Sequence, residues 1–197
     1  MEERLLDKAM RFAKVKHKGT YRKGDNQPYI FHPIEVLSIA SKMTKDEDIL
    51  CAALLHDTVE DAGATKEEIS EMFNDRIAEL VADETENKRL GQDKKQTWKI
   101  RKEEAIEKVK NAKDIGAKMV CLADKVSNLR SFLSLYLMQG EDMWKNFNTS
   151  DPLLHFWYYN SLKEALVELK DYAPYKEYCF LLDALFNKYI NKGDNYE

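Results

Sequence analysis

Residues 49–61, ILCAALLHDTVED, contain the stretch that decides the fold and raises the first functional question. The first seven residues are apolar, which is typical of a helix that is buried on every side. The flanking sequence predicts that this helix runs over 46–61. Its second half carries one imidazole and three carboxylates, from His56, Asp57, Glu60 and Asp61. Charged groups at the end of a buried helix cost free energy unless something compensates them.

Helical spacing would bring these side chains together. Glu60 follows His56 by four residues, and Asp61 follows Asp57 by four, so each pair is separated by about one helical turn. One helix end would therefore present an imidazole and carboxylates to nearly the same place, and a divalent cation is the simplest compensation. A solvated helix end remains the alternative for this segment alone.

The rest of the chain also repeats apolar residues at helical spacing, and no segment favours a strand. Thr65 and Glu68 predict a capping box that begins the helix after Gly63. The sequence predicts an all-α fold of about nine or ten helices in a single domain over 1–197, which the C-terminal helices of 141–190 complete. The other helices are predicted over 2–17, 33–43, 75–87, 97–112, 116–139, 141–147, 152–170 and 175–190.

Composition narrows the class of protein. The chain has 197 residues, of which 44% are hydrophobic, enough for a continuous core. A net charge of −4 gives no general attraction for nucleic acid or for an anionic membrane surface, so neither is expected as a partner. Three dispersed cysteines, Cys51, Cys121 and Cys179, favour reduced thiols and a cytoplasmic location.

Two further residues interrupt apolar surroundings in the same way. His32 stands at the mouth of a predicted helix, and Asp124 ends the apolar run MVCLA. Separately, they could be a capping histidine and a surface acid. Together with His56 and Asp57 they supply two imidazoles and two carboxylates, a mixed set that suits manganese, iron or zinc better than calcium.

The order of a histidine, a His-Asp pair and a distant aspartate resembles the HD phosphohydrolase superfamily. The flanking stretches resemble one branch of it, the hydrolase domain of RelA/SpoT homologues, and in particular the free-standing small alarmone hydrolases. This resemblance implies a single HD-domain helical bundle. The matching stretches are HKGTYRKGDNQPYIFHP at 17–33, AALLHDTVED at 52–61 and CLADKVSNLRS at 121–131.

The resemblance also implies a role for each matching residue. It implies Mn²⁺ as the usual ion, and Glu60 and Asp61 as the acidic pair that positions and activates water. It further implies hydrolysis of the alarmone (p)ppGpp at its 3′ side, which yields GDP or GTP plus pyrophosphate and belongs to the stringent response. The implied metal ligands are His32, His56, Asp57 and Asp124, and the implied contacts to the nucleotide substrate are Arg22, Lys23 and Asn128.

A diphosphate substrate needs basic residues near an acidic site. Lys18, Arg22 and Lys23 precede His32 closely enough to supply them, and Arg22 can make forked contacts. Two other histidines receive no role as ligands: His17 is interpreted as a loop anchor and His155 as a core or rim residue. Further basic candidates are Arg101, Lys102 and Arg130.

Rival functions stay open on sequence alone. The same site could serve another nucleotide phosphohydrolase, for example one that removes the 2′-phosphate of NADPH. A regulatory nucleotide-binding module with a decayed site is the alternative outside enzymes, although the intact Glu60-Asp61 pair counts against decay. No synthetase-like segment follows residue 140, so a hydrolase-only chain is expected. The aromatic-rich helices after residue 140 leave a homo-oligomer open.

Overall fold

The structure is a computed structural model that describes residues 4–22, 24, 26–89 and 91–190. Over these residues the chain forms α-helices joined by short connections, and the only strand-like pairing is an isolated bridge between Tyr21 and Pro28. The all-α prediction is confirmed. In chain order the helices are α1 (Leu5–Lys16), α2 (Phe31–Ala40), α3 (Glu47–Leu55), α4 (Thr58–Asp61), α5 (Lys66–Met72), α6 (Asp75–Glu84), α7 (Trp98–Asn111), α8 (Ile115–Gln139), α9 (Pro152–Ala165) and α10 (Ala173–Ile190), with 3₁₀-helices at Gly140–Asn146 and Val167–Leu169.

The longest helix, α8, forms the centre of the molecule. It packs against α2, α3, α6 and α10, and its apolar residues Val120–Ala123 are buried. The apolar run of α3 is also buried, while α1 and α2 pack against it. Buried apolar surface of this kind is the main favourable contribution to folding. The three elements that hold the predicted ligands are therefore fixed against one another by the core.

The prediction of one helix over 46–61 is wrong at its centre, because α3 ends at Leu55 and α4 begins at Thr58. Side chains at the break bond to backbone carbonyls: Thr58 Oγ1 donates to Leu55 O over 2.7 Å, and His56 Nδ1 bonds Ala53 O over 2.9 Å. Such local bonds compete with the regular helical ladder. His56 and Asp57 thus lie between two helices and not within one.

Helix ends follow the sequence signals in one place and depart from them in another. Thr65 Oγ1 accepts a hydrogen bond from the Glu68 N–H over 3.1 Å, which is one of the two bonds of the predicted capping box. The last helix was predicted to begin at residue 175, but Ala173 and Pro174 form the first turn of α10. A proline is tolerated there because its missing N–H would have no intrahelical partner.

The described part of the chain also bears on the cysteines and on membranes. Cys51 and Cys121 are buried, Cys179 is half-buried, and all three are free thiols. Among the described helices, none combines the length and the apolar character that crossing a bilayer would require.

Candidate metal centre and adjoining cavity

Of the four side chains predicted as ligands, His32, His56 and Asp124 have ligand atoms that all lie within 4.8 Å of one another, and Asp57 contacts both imidazoles. His32 lies in the first turn of α2, His56 and Asp57 at the break after α3, and Asp124 in the middle of α8. His32 Nε2 lies 3.2 Å from His56 Nε2, 3.1 Å from Asp124 Oδ1 and 3.4 Å from Asp57 Oδ2. His56 Nε2 lies 3.0 Å from Asp57 Oδ2 and 3.6 Å from Asp124 Oδ1. Atoms that are each about 2.1 Å from one ion have separations of this size.

The tautomer of each imidazole follows from the partner of its other nitrogen. His56 Nδ1 lies 2.9 Å from Ala53 O, which can only accept, so this nitrogen carries the hydrogen. Ser127 Oγ donates to the Glu35 carboxylate over 2.7 Å and therefore accepts from His32 Nδ1 over 2.9 Å. In the neutral rings both Nε2 atoms thus present lone pairs to the same point. Oriented nitrogens of this kind are what a metal ion requires, so the residues present fit a divalent cation.

The carboxylates around these atoms also favour a bound positive charge. Burial alone would lower the pKa of His56, but the carboxylates of Asp57 and Asp124 outweigh it and hold that pKa well above its usual value. Burial would likewise raise the pKa of Asp57 and of Asp124, yet their cationic neighbours hold both well below the usual range. For Asp124 the strongest of these neighbours is Lys125, whose Nζ contacts Oδ2 at 2.5 Å. Positive charge at this point can come from a proton or from a metal ion, which compete.

Tyr29 is a contact of the site that the sequence did not single out. Its hydroxyl donates to Asp57 Oδ2 over 2.6 Å, and burial together with Asp57 raises the pKa of the phenol, so it stays protonated. The ring of His17 stacks on Tyr29 with centroids 4.9 Å apart, and the His17 carbonyl accepts from Thr20 Oγ1 over 2.8 Å. Both ring nitrogens of His17 are buried without a hydrogen-bond partner, so its role as a loop anchor stays a prediction. Tyr29 stands three residues before His32 within the matching stretch 17–33, which was the available signal.

A cavity of about 510 Å³ is lined by Tyr29 and Asn128, which hydrogen-bond to Asp57 and Asp124, while none of the four predicted ligands lines it. Arg22 and Asn128 both border it, and Arg22 Nη2 donates to Asn128 Oδ1 over 3.1 Å. Lys23, predicted beside Arg22, lies outside the described residues. His155 is buried and also borders the cavity. The cavity therefore joins a guanidinium, an amide and aromatic surface, and its aromatic lining includes Tyr21, Tyr29, Trp98, Phe132, Phe147, Tyr158 and Tyr159.

The predicted acidic pair divides between two places. Asp61 borders the cavity and pairs with Lys88. Glu60 Oε2 instead accepts the Glu86 N–H over 3.0 Å, and Lys88 Nζ donates to Glu60 O over 2.7 Å. Burial raises the pKa of Glu60 to about 7 despite the Glu86 N–H, and the negative charge of Asp57 adds to that rise. A carboxyl with such a pKa can accept or release a proton near neutral pH.

The other basic candidates differ in their surroundings. Arg101 and Lys102 both pair with Glu86, over 2.8 and 2.5 Å, and of the two only Lys102 borders the cavity. Arg130 pairs with Glu35 and with Glu177 of α10. Within the described residues, Arg22 and Lys102 are therefore the cavity's basic side chains.

The amino-acid sequence matches a known family and several known proteins. Residues 9–142 match the HD domain family. The GTP pyrophosphokinase rsh of Brucella ovis is 38% identical over 133 residues, which are 66% of this chain and 17% of the relative. The guanosine-3′,5′-bis(diphosphate) 3′-pyrophosphohydrolase of Aquifex aeolicus is 32% identical over 172 residues, which are 85% of this chain and 23% of the relative. The chain thus spans less than a quarter of the length of either relative.

Two solved structures are similar over most of the chain. A metazoan ortholog of SpoT, described as hydrolyzing ppGpp and playing a role in starvation responses, superimposes with a TM-score of 0.70 and 28% identity. That match covers 95% of this chain and 97% of the ortholog. Lmo0812 from Listeria monocytogenes EGD-e gives a TM-score of 0.69 and 31% identity, over 79% of this chain and 99% of the other.

Proposed function

The chain belongs to the HD domain family, and from that premise we propose that it is a metal-dependent phosphohydrolase that releases pyrophosphate from the 3′ position of ppGpp and pppGpp. The products would be GDP and GTP. The observation that carries the proposal is the cluster of two imidazole Nε2 atoms and two carboxylate oxygens, which the Asn128 amide connects to Arg22 at the cavity. The names of the Aquifex relative and of the metazoan ortholog support this choice of substrate.

We assign the metal to His32, His56, Asp57 and Asp124, with Mn²⁺ as the proposed ion. When bound, the ion lowers the pKa of water and offsets the charge of the phosphoryl group. The buried hydrogen bonds from His56 Nδ1 and His32 Nδ1 keep the ligand atoms oriented without further rearrangement. This orientation is the chain's own contribution to the centre.

The acidic pair and the cavity residues would act on water and substrate. Asp61, at the cavity, and Glu60, with its raised pKa, are the proposed groups that orient the attacking water and accept its proton. Water would attack the phosphorus atom that is bonded to the 3′ oxygen. The bond between that phosphorus and the 3′ oxygen would break, and the 3′ oxygen would leave with a proton. Arg22, Lys23 and Asn128 would hold the nucleotide, with Arg22 binding a phosphate through its fork.

We further propose that the described helices act as one domain in a reducing compartment such as the cytoplasm. Support comes from the packing of α10 on both α8 and α9 and from the three free thiols.

A substrate panel tests the proposed function. Purified protein is incubated with Mn²⁺ and, separately, with ppGpp, pppGpp and NADPH, and the products are identified by mass spectrometry and ³¹P NMR. We expect pyrophosphate to appear together with GDP or GTP. Release of orthophosphate from NADPH alone would indicate a different phosphohydrolase. Tight binding of ppGpp without turnover would indicate a regulatory module.

A further inference from the structure

A continuous series of hydrogen bonds connects His32 to the C-terminal helix. His32 Nδ1 donates to Ser127 Oγ over 2.9 Å, and Ser127 Oγ donates to Glu35 Oε2 over 2.7 Å. The other carboxylate oxygen of Glu35 accepts from Arg130 Nη1 over 2.8 Å. Arg130 also binds α10: its Nε and Nη2 donate to the two carboxylate oxygens of Glu177 over 2.6 and 2.9 Å.

The polarity of this series is fixed from its outer end. Arg130 can only donate, and a carboxylate can only accept, so Glu35 offers acceptors on both sides. Ser127 is fully buried and has one hydrogen to give, which Glu35 receives. Ser127 must therefore accept from His32, whose hydrogen stays on Nδ1 and whose lone pair stays on Nε2.

We propose that Glu35, Arg130 and Glu177 are positioning residues that act through Ser127 to hold His32 in its metal-binding tautomer, so that α10 contributes to the metal affinity of the site. The inference rests on the metal assignment within the proposed function. Glu177 lies beyond the region that matches the HD domain family, residues 9–142. The forked contact between Arg130 and Glu177 has the planar, two-bond geometry that restricts both side chains.

Replacing Glu35 with glutamine makes the proposal specific. Arg130 would keep an oxygen of the introduced amide on its side, which turns the NH₂ group toward Ser127. Ser127 then accepts from that amide, and its hydrogen, no longer held by Glu35, can go to His32 Nδ1, which would reverse the tautomer and point an N–H at the ion. A change of one atom would thus convert a ligand nitrogen into a donor.

The test is the affinity of metal-free protein for Mn²⁺, measured from the EPR signal of the free ion. We expect Glu35→Gln and Ser127→Ala each to weaken binding about tenfold, the lower end of the effect typical of such partners. Because Glu35 reaches the ring only through Ser127, the double variant should bind no more weakly than Ser127→Ala alone. Glu177→Gln should weaken binding by a smaller factor.

Glu168→Gln is the matched control. Glu168 also pairs with a basic residue of α8, Lys118, over 2.7 Å, but it has no bond to the series. Unchanged affinity in Glu35→Gln, additive losses in the double variant, or an equal loss in Glu168→Gln would overturn the proposal. The proposed substrate fails separately: wild-type protein that binds Mn²⁺ but leaves ppGpp intact would refute the hydrolase, and the affinities would still decide the positioning series.

Discussion

Asn128 Nδ2 donates a hydrogen bond to Asp124 Oδ1 over 2.7 Å, one turn earlier in α8. The oxygen of the same amide accepts from Arg22 Nη2 over 3.1 Å, and Arg22 also donates to Ser131 Oγ over 3.0 Å. One side chain therefore connects an oxygen of the proposed metal centre with the guanidinium at the cavity. A substrate phosphate held by Arg22 would lie next to the ligand cluster.

Arg22→Gln tests the guanidinium. Because Arg22 contacts Asn128 and Ser131 and not a ligand atom, we expect KM for ppGpp to rise by about 10- to 100-fold, the loss of one or two charge-assisted hydrogen bonds, while bound metal is unchanged. Steady-state kinetics and metal analysis measure the two effects. Arg4→Gln, at an exposed arginine of the N-terminus, is the control. An unaltered KM would show that Arg22 is only part of the surface.

His56→Ala and Asp57→Ala test the metal centre. Each removes one of four converging ligand atoms, so bound metal and activity should be lost together. Metal content is measured on the purified proteins. His155→Phe is the matched control for metal content alone, since His155 is a buried histidine that borders the cavity but whose Nε2 contacts the carbonyl of Thr149 and no ligand. Full metal content in both alanine variants would exclude the proposed centre.

Glu60→Gln separates metal binding from catalysis. Glutamine keeps an oxygen that can accept the Glu86 N–H but removes the basicity of the group. We expect Mn²⁺ and nucleotide affinity near that of the wild type and turnover lowered by about a hundredfold. Asp61→Asn should act in the same direction, and Glu67→Gln, at an exposed position of α5, should have no effect. Wild-type turnover in Glu60→Gln would make the acidic residue structural.

His155 predicts how stability depends on pH. Burial lowers the pKa of its imidazole to about 4, from an ordinary value of 6.5. Because the folded pKa is depressed, the neutral ring stabilises the fold above pH 6.5, and this contribution declines as the pH falls from 6.5 toward 4. Between pH 7 and pH 5 the wild type should lose about 2 kcal/mol more than His155→Phe. Urea unfolding at the two pH values checks this, and equal losses would contradict it.

Much of the fold could be predicted because the periodicity and capping residues of a helix are visible in its own sequence. Apolar periodicity predicted helices close to α1, α6, α7 and α8, and the capping threonine predicted where α5 begins. The break at His56 and Asp57 could not be predicted in this way. The break depends on side-chain bonds to backbone carbonyls that a continuous helix would otherwise use. The apolar pattern of the sequence would be the same for a continuous helix and for a broken one.

The site was predictable to the extent that its residues interrupt apolar runs or match a family motif. The hydrogen bonds that other residues make to the predicted ligands were not predictable. Ser127 lies 92 positions from Glu35 and 95 from His32, and such pairings depend on how α8 packs against α2. The contact of Glu60 with the Glu86 backbone similarly depends on the path of the chain after α6.

The ligands of the proposed centre come from α2, from the break between α3 and α4, and from α8, so a bound ion would also be a cross-link between distant parts of the chain. An ion that binds the folded chain and not the unfolded one shifts the folding equilibrium by mass action. Proteases cut the unfolded population, which shrinks as that equilibrium shifts. In a cell, loss of the proposed ion would therefore shorten the lifetime of the polypeptide.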